Sequence, residues 1–431
     1  MPKSITQAKT ESWLNFNRHL AQLQRTHAAR AVRLMVVVTS GQSADLLRGQ
    51  LSFLRSKGFD ITLVSAPHPS LLAAATRENI NIVPLSMSRE IRPLQDLISL
   101  FRLWRLMRAI RPEVVNASTP KAGLLGMMAA FLAHVPMRVY TLRGLRLETT
   151  IGLKKRILAF TERIASACAH RVICVSRSLA EEYQARGLVD RNKLVVLAAG
   201  SSNGVNAKAF QHTPAREAQS RALLDQFGIA PGEPVIGFVG RLTRDKGTAD
   251  LVQAFQKLTD RFPKVWLLLV GEVEQGDALD EATLNWIRTH PRILCAGFIR
   301  DVAPYYHIMN VLAFPSYREG FPNAVLEAQA SGIPVVGYRA TGVVDAVSDA
   351  TTGRLVPVGA VNEMVEALSE YLSCPELAVS HGDHGRQRVE HDFSNERVWN
   401  ALLREYRQLL RVAGIDSNLP EDLQQTESRA A

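Results

Sequence analysis

What this chain has little of narrows it first. Among its 431 residues only four are cysteine, Cys168, Cys174, Cys295 and Cys374, with neither close pairing nor metal-ligand spacing. That excludes a disulfide framework and a cysteine zinc site, and fits structural thiols in a reducing compartment. His134, His170, His307 and His391 are scattered without ligand spacing, so no metal site is expected. There is no Gly-x4-Gly-Lys-Ser/Thr and no Gly-x-Gly-x-x-Gly, which removes support for ATP hydrolysis and hydride transfer. Gly200-Ser201-Ser202-Asn203-Gly204 has the Gly-x-Ser-x-Gly spacing, but it falls in a flexible loop with no helix pattern directly after it, so no nucleophile elbow is read. Long apolar runs are also missing. Residues 1–30 are polar, unlike a secretory signal or a membrane span, and are read as an N-terminal extension with a loose helix over Ser12–Leu20. The stretch from Ala122 to Val135 is nearly all apolar but too short to cross a bilayer.

What is present is an ordinary globular composition, 46% hydrophobic and 21% charged. The length exceeds a single core, so two domains of roughly 200 residues are expected. Charge divides them. Up to Ala215 there are 30 Lys and Arg against 12 Asp and Glu, a surplus of +18; afterwards 21 against 29 leave −8. The basic half suits a phosphorylated substrate or an anionic membrane surface. No nucleic-acid motif accompanies it, so nucleic acid is not an expected partner.

Strand and helix signals alternate, which implies parallel pairing. The first strand, Val32 to Val38, is followed by Ile61–Val64, Met137–Thr141, Arg171–Val175 and Leu194–Leu197. Helices are read over Leu94–Ile110, within Ala122–Val135, over Ile157–Ala167 and from Ser178 to Arg186. On Leu94–Ile110 the apolar set includes Leu97, Phe101, Trp104 and Met107, with Arg102, Arg105, Arg108 and Arg111 around it. Two readings stay open for it: a core-facing helix with solvated arginines, or a surface resting on anionic lipid. Prolines 214, 231 and 234 mark a linker. The pattern then restarts with strands at Val235–Gly240, Val265–Gly271, Ile293–Gly297, Val311–Phe314 and Pro334–Gly337. Helices are read at Ala249–Phe262, Asn362–Ser373 and Ser394–Val412.

Two stretches carry chemistry. In Pro315–Ala330 a strand gives way to a loop with Glu319 and a helix with Glu327, so two carboxylates eight positions apart can face one crevice. The open N–H groups of that helix's first turn favour anions, and the combination suggests a polyol phosphate. In Gly237–Gly247 the chain leaves a strand through Gly240 and presents Arg241 and Lys246, a pair suited to a diphosphate.

Gly240-Arg241 through Lys246-Gly247, Glu319 followed by Glu327, Gly332-Ile333-Pro334-Val335-Val336 and Thr341-Gly342 together resemble the retaining glycosyltransferases of family 4. The resemblance spans residues 31 to 412 and is densest from Val235 to Val358. It implies the α/β GT-B fold, two Rossmann-like domains with parallel sheets facing a central cleft. Expected bounds are 1–30 for the extension, 31–213 for the acceptor domain and 214–395 for the donor domain. A helix at 396–412 would cross back to the first domain, and 413–431 would be a flexible tail. By the same resemblance the donor, a nucleotide diphosphate sugar with UDP favoured, would meet Gly240, Arg241, Lys246, Glu319, Gly320, Phe321, Pro322, Asn323 and Glu327. Glu327 would hold the ribose and Glu319 the sugar; Glu319, Arg241 and Lys246 form the expected catalytic set. The missing Asp-x-Asp motif agrees with metal-independent chemistry, and no cofactor beyond the nucleotide sugar as co-substrate is expected.

The first domain matches less evenly. Ser118–Gly123 and Tyr140–Gly144 resemble segments of bacterial enzymes that build polysaccharides and lipid-linked oligosaccharides, and Gly41, Lys121, Arg143 and Glu148 are the expected acceptor contacts. Many relatives carry histidine where Arg143 stands, and arginine cannot act as a general base. The Thr39–Ser43 loop lacks the family's double glycine. The expected acceptor is a polyprenyl-diphosphate-linked saccharide or a surface polysaccharide, reached from the cytoplasm at the inner membrane face by peripheral contact through the basic domain. A soluble acceptor, a nucleotide-sugar epimerase and a non-catalytic binding subunit remain as alternatives.

Overall fold

The computed structural model describes residues 31–415 apart from Arg89 and Ile91. The extension 1–30, with the helix read over Ser12–Leu20, and the tail beyond Ile415 lie outside the described residues. Strand β1 (Val32–Val37) lies in a parallel sheet of seven. Its companions are β2 (Phe59–Ser65), β3 (Asn81–Pro84), β4 (Val114–Ser118), β5 (Met137–Leu142), β6 (Arg171–Cys174) and β7 (Leu194–Val196). Their order is β3-β2-β1-β4-β5-β6-β7, so the winding reverses between β1 and β4. Crevices open outside the carboxyl ends of strands at such reversals. The loops Thr39–Gly41 and Thr119–Lys121 flank this one.

A second parallel sheet repeats the plan. It holds β8 (Val235–Val239), β9 (Trp266–Val270), β10 (Ile293–Gly297), β11 (Val311–Phe314), β12 (Val335–Tyr338) and β13 (Gly353–Val356) in the order β10-β9-β8-β11-β12-β13. Its reversal falls between β8 and β11, so the loops after those strands, carrying Arg241–Lys246 and Ser316–Gly320, flank one crevice. Continuous runs such as Leu267, Leu268 and Leu269, all fully buried, form strands here because helices cover both faces.

Helix Asn395–Val412 leaves the second half and packs on the first sheet, where Leu402, Leu403, Tyr406, Leu409 and Leu410 join Val32, Leu34 and Leu51 in one cluster. Tyr406 receives a 2.6 Å hydrogen bond from Asn116 Nδ2.

Three elements add to the sequence reading or depart from it. The helix read from Ile157 starts at Gly152 (Gly152–Cys168) and leaves Ile151 87%, Leu153 72% and Phe160 62% exposed. Helix Pro93–Ile110 buries Leu103, Leu106, Met107 and Ile110, while Leu97 and Phe101 face out with Leu94 and Ile98. Helix Pro375–Asp392, 18 residues long, has no counterpart in the sequence reading. Among the described residues no helix is long and apolar enough to cross a membrane.

Candidate active site

The two chemistry-bearing loops meet because glycines allow it. Gly247 (φ 69°) sits before helix Thr248–Arg261, and a Cβ there would lie 2.0 Å from the Pro315 carbonyl oxygen. Only a bare Cα permits that approach. The contact is reinforced by the Tyr317 amide, which donates to the Asp245 carbonyl at 3.0 Å, and by an Arg318–Asp245 ion pair. Lys246 and Glu319 are thereby joined as an ion pair at the crevice, their side chains 18% and 12% exposed. Arg241 stands farther out, exposed and paired with Glu274. Thr243 and Thr248 in the same turn are fully buried with hydroxyls that find no partner among the described residues.

Behind Glu319, Pro322 stands at the N-cap position of helix Asn323–Ala330 and Asn323 opens it, with its Oδ1 enclosed and without a partner among the described residues. Glu327 lies in the second turn. Its Oε2 accepts from the Tyr306 hydroxyl at 3.0 Å. Burial pushes the Glu327 carboxyl above its ordinary range, and the Tyr306 bond opposes that shift. Phe321 turns away into packing, its ring centroid 5.2 Å from that of Phe393.

Across the crevice the first domain touches these loops directly. A Cβ on Gly320 would lie 2.0 Å from the Arg143 carbonyl oxygen. Thr341 donates to Glu148 at 2.8 Å, and Arg318 Nε to Thr149 at 2.9 Å. The Asp345 carboxylate takes the Arg177 amide at 2.9 Å and the Ser178 hydroxyl, while the Gly342 amide donates to Ser178 Oγ at 2.8 Å.

Of the expected acceptor contacts, Arg143 and Glu148 line this junction, whereas Gly41 and Lys121 lie at the β1/β4 reversal. Burial pulls the Arg143 guanidinium down to about 10, so it stays charged at neutral pH. Its Nε and Nη1 are enclosed with no partner among the described residues, beside a cavity of about 20 Å³, room for about one water, that Ser118, Thr141 and Tyr406 also line. Glu148 is raised by burial, partly offset by Thr341, and its Oε2 is enclosed without a partner among the described residues. Lys121 is engaged by Asp96 at 2.5 Å and the Glu90 carbonyl at 2.8 Å, so its charge ties the 93–110 helix to the first sheet. Gly41 is buried against His68. Among the described residues no cluster of three or more His, Cys, Asp or Glu is placed to hold a metal ion.

Residues 47–200 match the model of a glycosyl transferase 4-like domain and residues 233–374 that of glycosyl transferases group 1. The capsular polysaccharide biosynthesis glycosyltransferase CapM of Staphylococcus aureus is 36% identical over 381 residues, 88% of this chain and 98% of that protein. The chain belongs to the GT4-like glycosyltransferases. An Escherichia coli member, UDP-Gal:alpha-D-GlcNAc-diphosphoundecaprenol alpha-1,3-galactosyltransferase, is 27% identical across 78% of this chain and 86% of its own. The crystal structure of Anabaena HepE in complex with UDP-glucose superposes with a TM-score of 0.73 at 18% identity, covering 87% of this chain and 99% of HepE. The fold of this GT4-like enzyme is therefore GT-B, as the Glu319/Glu327 pattern implied. Tyr306, Asp345 and Ser178 had no signal in the sequence, since each acquires its partner only through the fold.

Proposed function

We propose that this GT4-like enzyme transfers a sugar, with retention at the anomeric carbon, from a UDP-sugar to a polyprenyl-diphosphate-linked saccharide during assembly of a surface polysaccharide. One observation carries the reading: the Lys246–Glu319 pair stands at the β8/β11 reversal, with Glu327 behind it and Arg143 opposite. Glu319 meets the sugar near the carbon that changes partners. Lys246 and Arg241, with the amides after Gly320 and the start of the 323–330 helix, offset the charge that grows on the departing diphosphate. Glu327 takes the ribose hydroxyls, for which a carboxylate has the acceptors. Arg143, Glu148, Gly41 and Lys121 belong to the acceptor side, Lys121 by positioning the 93–110 helix. The UDP in the names of the E. coli relative and the HepE complex, and the diphosphoundecaprenol and capsule of the relatives, support the substrates.

Peripheral membrane contact follows from surface chemistry. In parallel α/β halves the helix N-termini lie on the side of the strands' carboxyl ends, the cleft side. Near those ends Leu94 and Leu97 on helix 93–110 and Ile151 and Leu153 at the start of helix 152–168 are exposed together with Lys154 and Arg156, while Phe101, Arg105 and Phe160 are exposed farther along the same two helices. Apolar groups rimmed by cations suit an anionic bilayer.

Thermal shift against UDP-, ADP- and GDP-sugars tests the donor: at a hundredfold excess over Kd a true donor adds about 2.7 kcal/mol. Stabilisation by ADP- or GDP-sugars alone would replace UDP. Flotation with anionic vesicles at low salt tests the membrane contact; protein left at the bottom of the gradient removes it. Turnover on a water-soluble acceptor, indifferent to lipid, would replace the lipid-linked acceptor.

A further inference from the structure

Tyr306 is fully buried, and its hydroxyl faces two acceptors, Glu327 Oε2 at 3.0 Å and the Ala324 carbonyl oxygen at 3.1 Å. The Ala324 carbonyl alone would satisfy a buried phenol. The carboxylate adds a charge-assisted bond, and no other group among the described residues donates to the Glu327 carboxylate. The ring is held from the interdomain segment: Phe210 meets it edge-on with centroids 6.0 Å apart, and Ser220 Oγ donates to the Pro304 carbonyl at 3.1 Å. His307 Nε2 lies 2.8 Å from the Phe210 carbonyl oxygen, which fixes the same short helix, Ala303–Tyr306, against that segment.

We propose that Tyr306 is a positioning residue for recognition of the nucleotide's ribose. Resting on the assignment of Glu327 to the ribose, its hydroxyl fixes Oε2 so that the remaining lone pairs of the carboxylate are aimed at two neighbouring sugar hydroxyls. A carboxylate free to rotate would meet one hydroxyl at a time. Tyr306 therefore sets discrimination between ribo- and deoxyribonucleotides without touching the ligand.

The test is calorimetric binding of UDP, ADP and GDP to the full chain, then of the tightest binder and its 2′-deoxy form to wild type, Tyr306→Phe and Glu327→Gln. Wild type is expected to bind the deoxy form about tenfold more weakly, the worth of one hydrogen bond to a charged group. Tyr306→Phe should weaken the ribonucleotide about five- to tenfold while leaving the deoxy form within about twofold, so the ratio collapses. Equal weakening of both forms, the signature of a merely structural tyrosine, overturns the proposal, as does no weakening of either. If Glu327→Gln keeps the wild-type ratio, the ribose assignment itself falls and Tyr306 with it. If Glu327→Gln abolishes the ratio and Tyr306→Phe preserves it, only the role of Tyr306 falls. Melting temperatures recorded alongside establish that both variants are folded.

Discussion

Replacing Glu319 by glutamine separates binding from chemistry. The substitution keeps the shape of the side chain and removes its charge, and with it the ion pair to Lys246. Exposed pairs contribute about 0–1 kcal/mol, and breaking a buried one costs about 3–5. At 12% and 18% exposure this pair lies between, so about 2 kcal/mol of attraction is surrendered. That attraction competes with the diphosphate for Lys246. Glu319→Gln should therefore leave UDP binding intact or tighten it by up to about thirtyfold, since 1.4 kcal/mol is one decade. Turnover should fall at least about a hundredfold, the usual loss when a preorganised group at the reacting centre is removed. Calorimetry with UDP and initial rates with the donor found by thermal shift measure the two quantities. Loss of UDP binding in proportion to turnover would assign Glu319 to the nucleotide, and unchanged turnover would remove it from the chemistry; either refutes the reasoning.

Glu162 offers a pH test. It sits on the buried face of the 152–168 helix, accepts from Tyr140 at 2.9 Å and Tyr183 at 3.0 Å, and burial pushes it up to about 7. An acid raised this way keeps a proton that the unfolded chain gives up, so stability falls as pH climbs from the ordinary value of 4.5 toward 7 and the penalty is complete above that. Glu162→Gln should gain on wild type by up to about 3 kcal/mol between pH 4.5 and pH 8, read from urea midpoints; a difference independent of pH contradicts it. Gly320→Ala places a methyl 2.0 Å from the Arg143 carbonyl oxygen, so activity should drop at least about tenfold as the domains part, with far-UV circular dichroism unchanged. Asp345→Ala removes the carboxylate that caps helix Arg177–Ala185 from the other domain, costing about 1 kcal/mol and enlarging the radius of gyration in X-ray scattering; an unchanged radius would show that other contacts hold the cleft.

Local signals carried much of the fold. Val235–Val239 and Val311–Phe314 read as strands because each is a short apolar run ended by glycine or proline, and the loops they feed hold Lys246 and Glu319. Helix Pro375–Asp392 was illegible for the opposite reason. Gly382 and Gly385 lie in its interior, where glycine costs about 1 kcal/mol against alanine. They serve tertiary contacts: a Cβ on Gly382 would lie 1.9 Å from the Gly332 carbonyl oxygen, and one on Gly385 about 3.0 Å from Gln329. A residue chosen for its neighbour across space looks, along the chain, like a helix breaker. On Leu97 and Phe101 the sequence left two readings open for a related reason, since apolar spacing shows that residues share a face and not what that face meets.

The acceptor side shows where sequence reasoning stops. Glu148 and Arg143 lie in one loop after β5, yet the Glu148 Oε1 is occupied by Thr341, 193 positions away across the junction. Its Oε2 has no partner among the described residues, and neither do Nε and Nη1 of Arg143. A buried polar atom without a partner costs about 1–3 kcal/mol, so two such side chains at one junction are stable only where the surrounding packing imposes them or a ligand completes them. The Gly320–Arg143 backbone contact and the Asp345 cap supply that packing, and they hold the junction together from the donor side. The contacts across the junction thus set the positions of Glu148 and Arg143. If that coupling holds, Asp345→Ala should raise the acceptor KM while leaving UDP affinity within about twofold; a change confined to the donor would mean that Glu148 and Arg143 are assembled by the first domain alone.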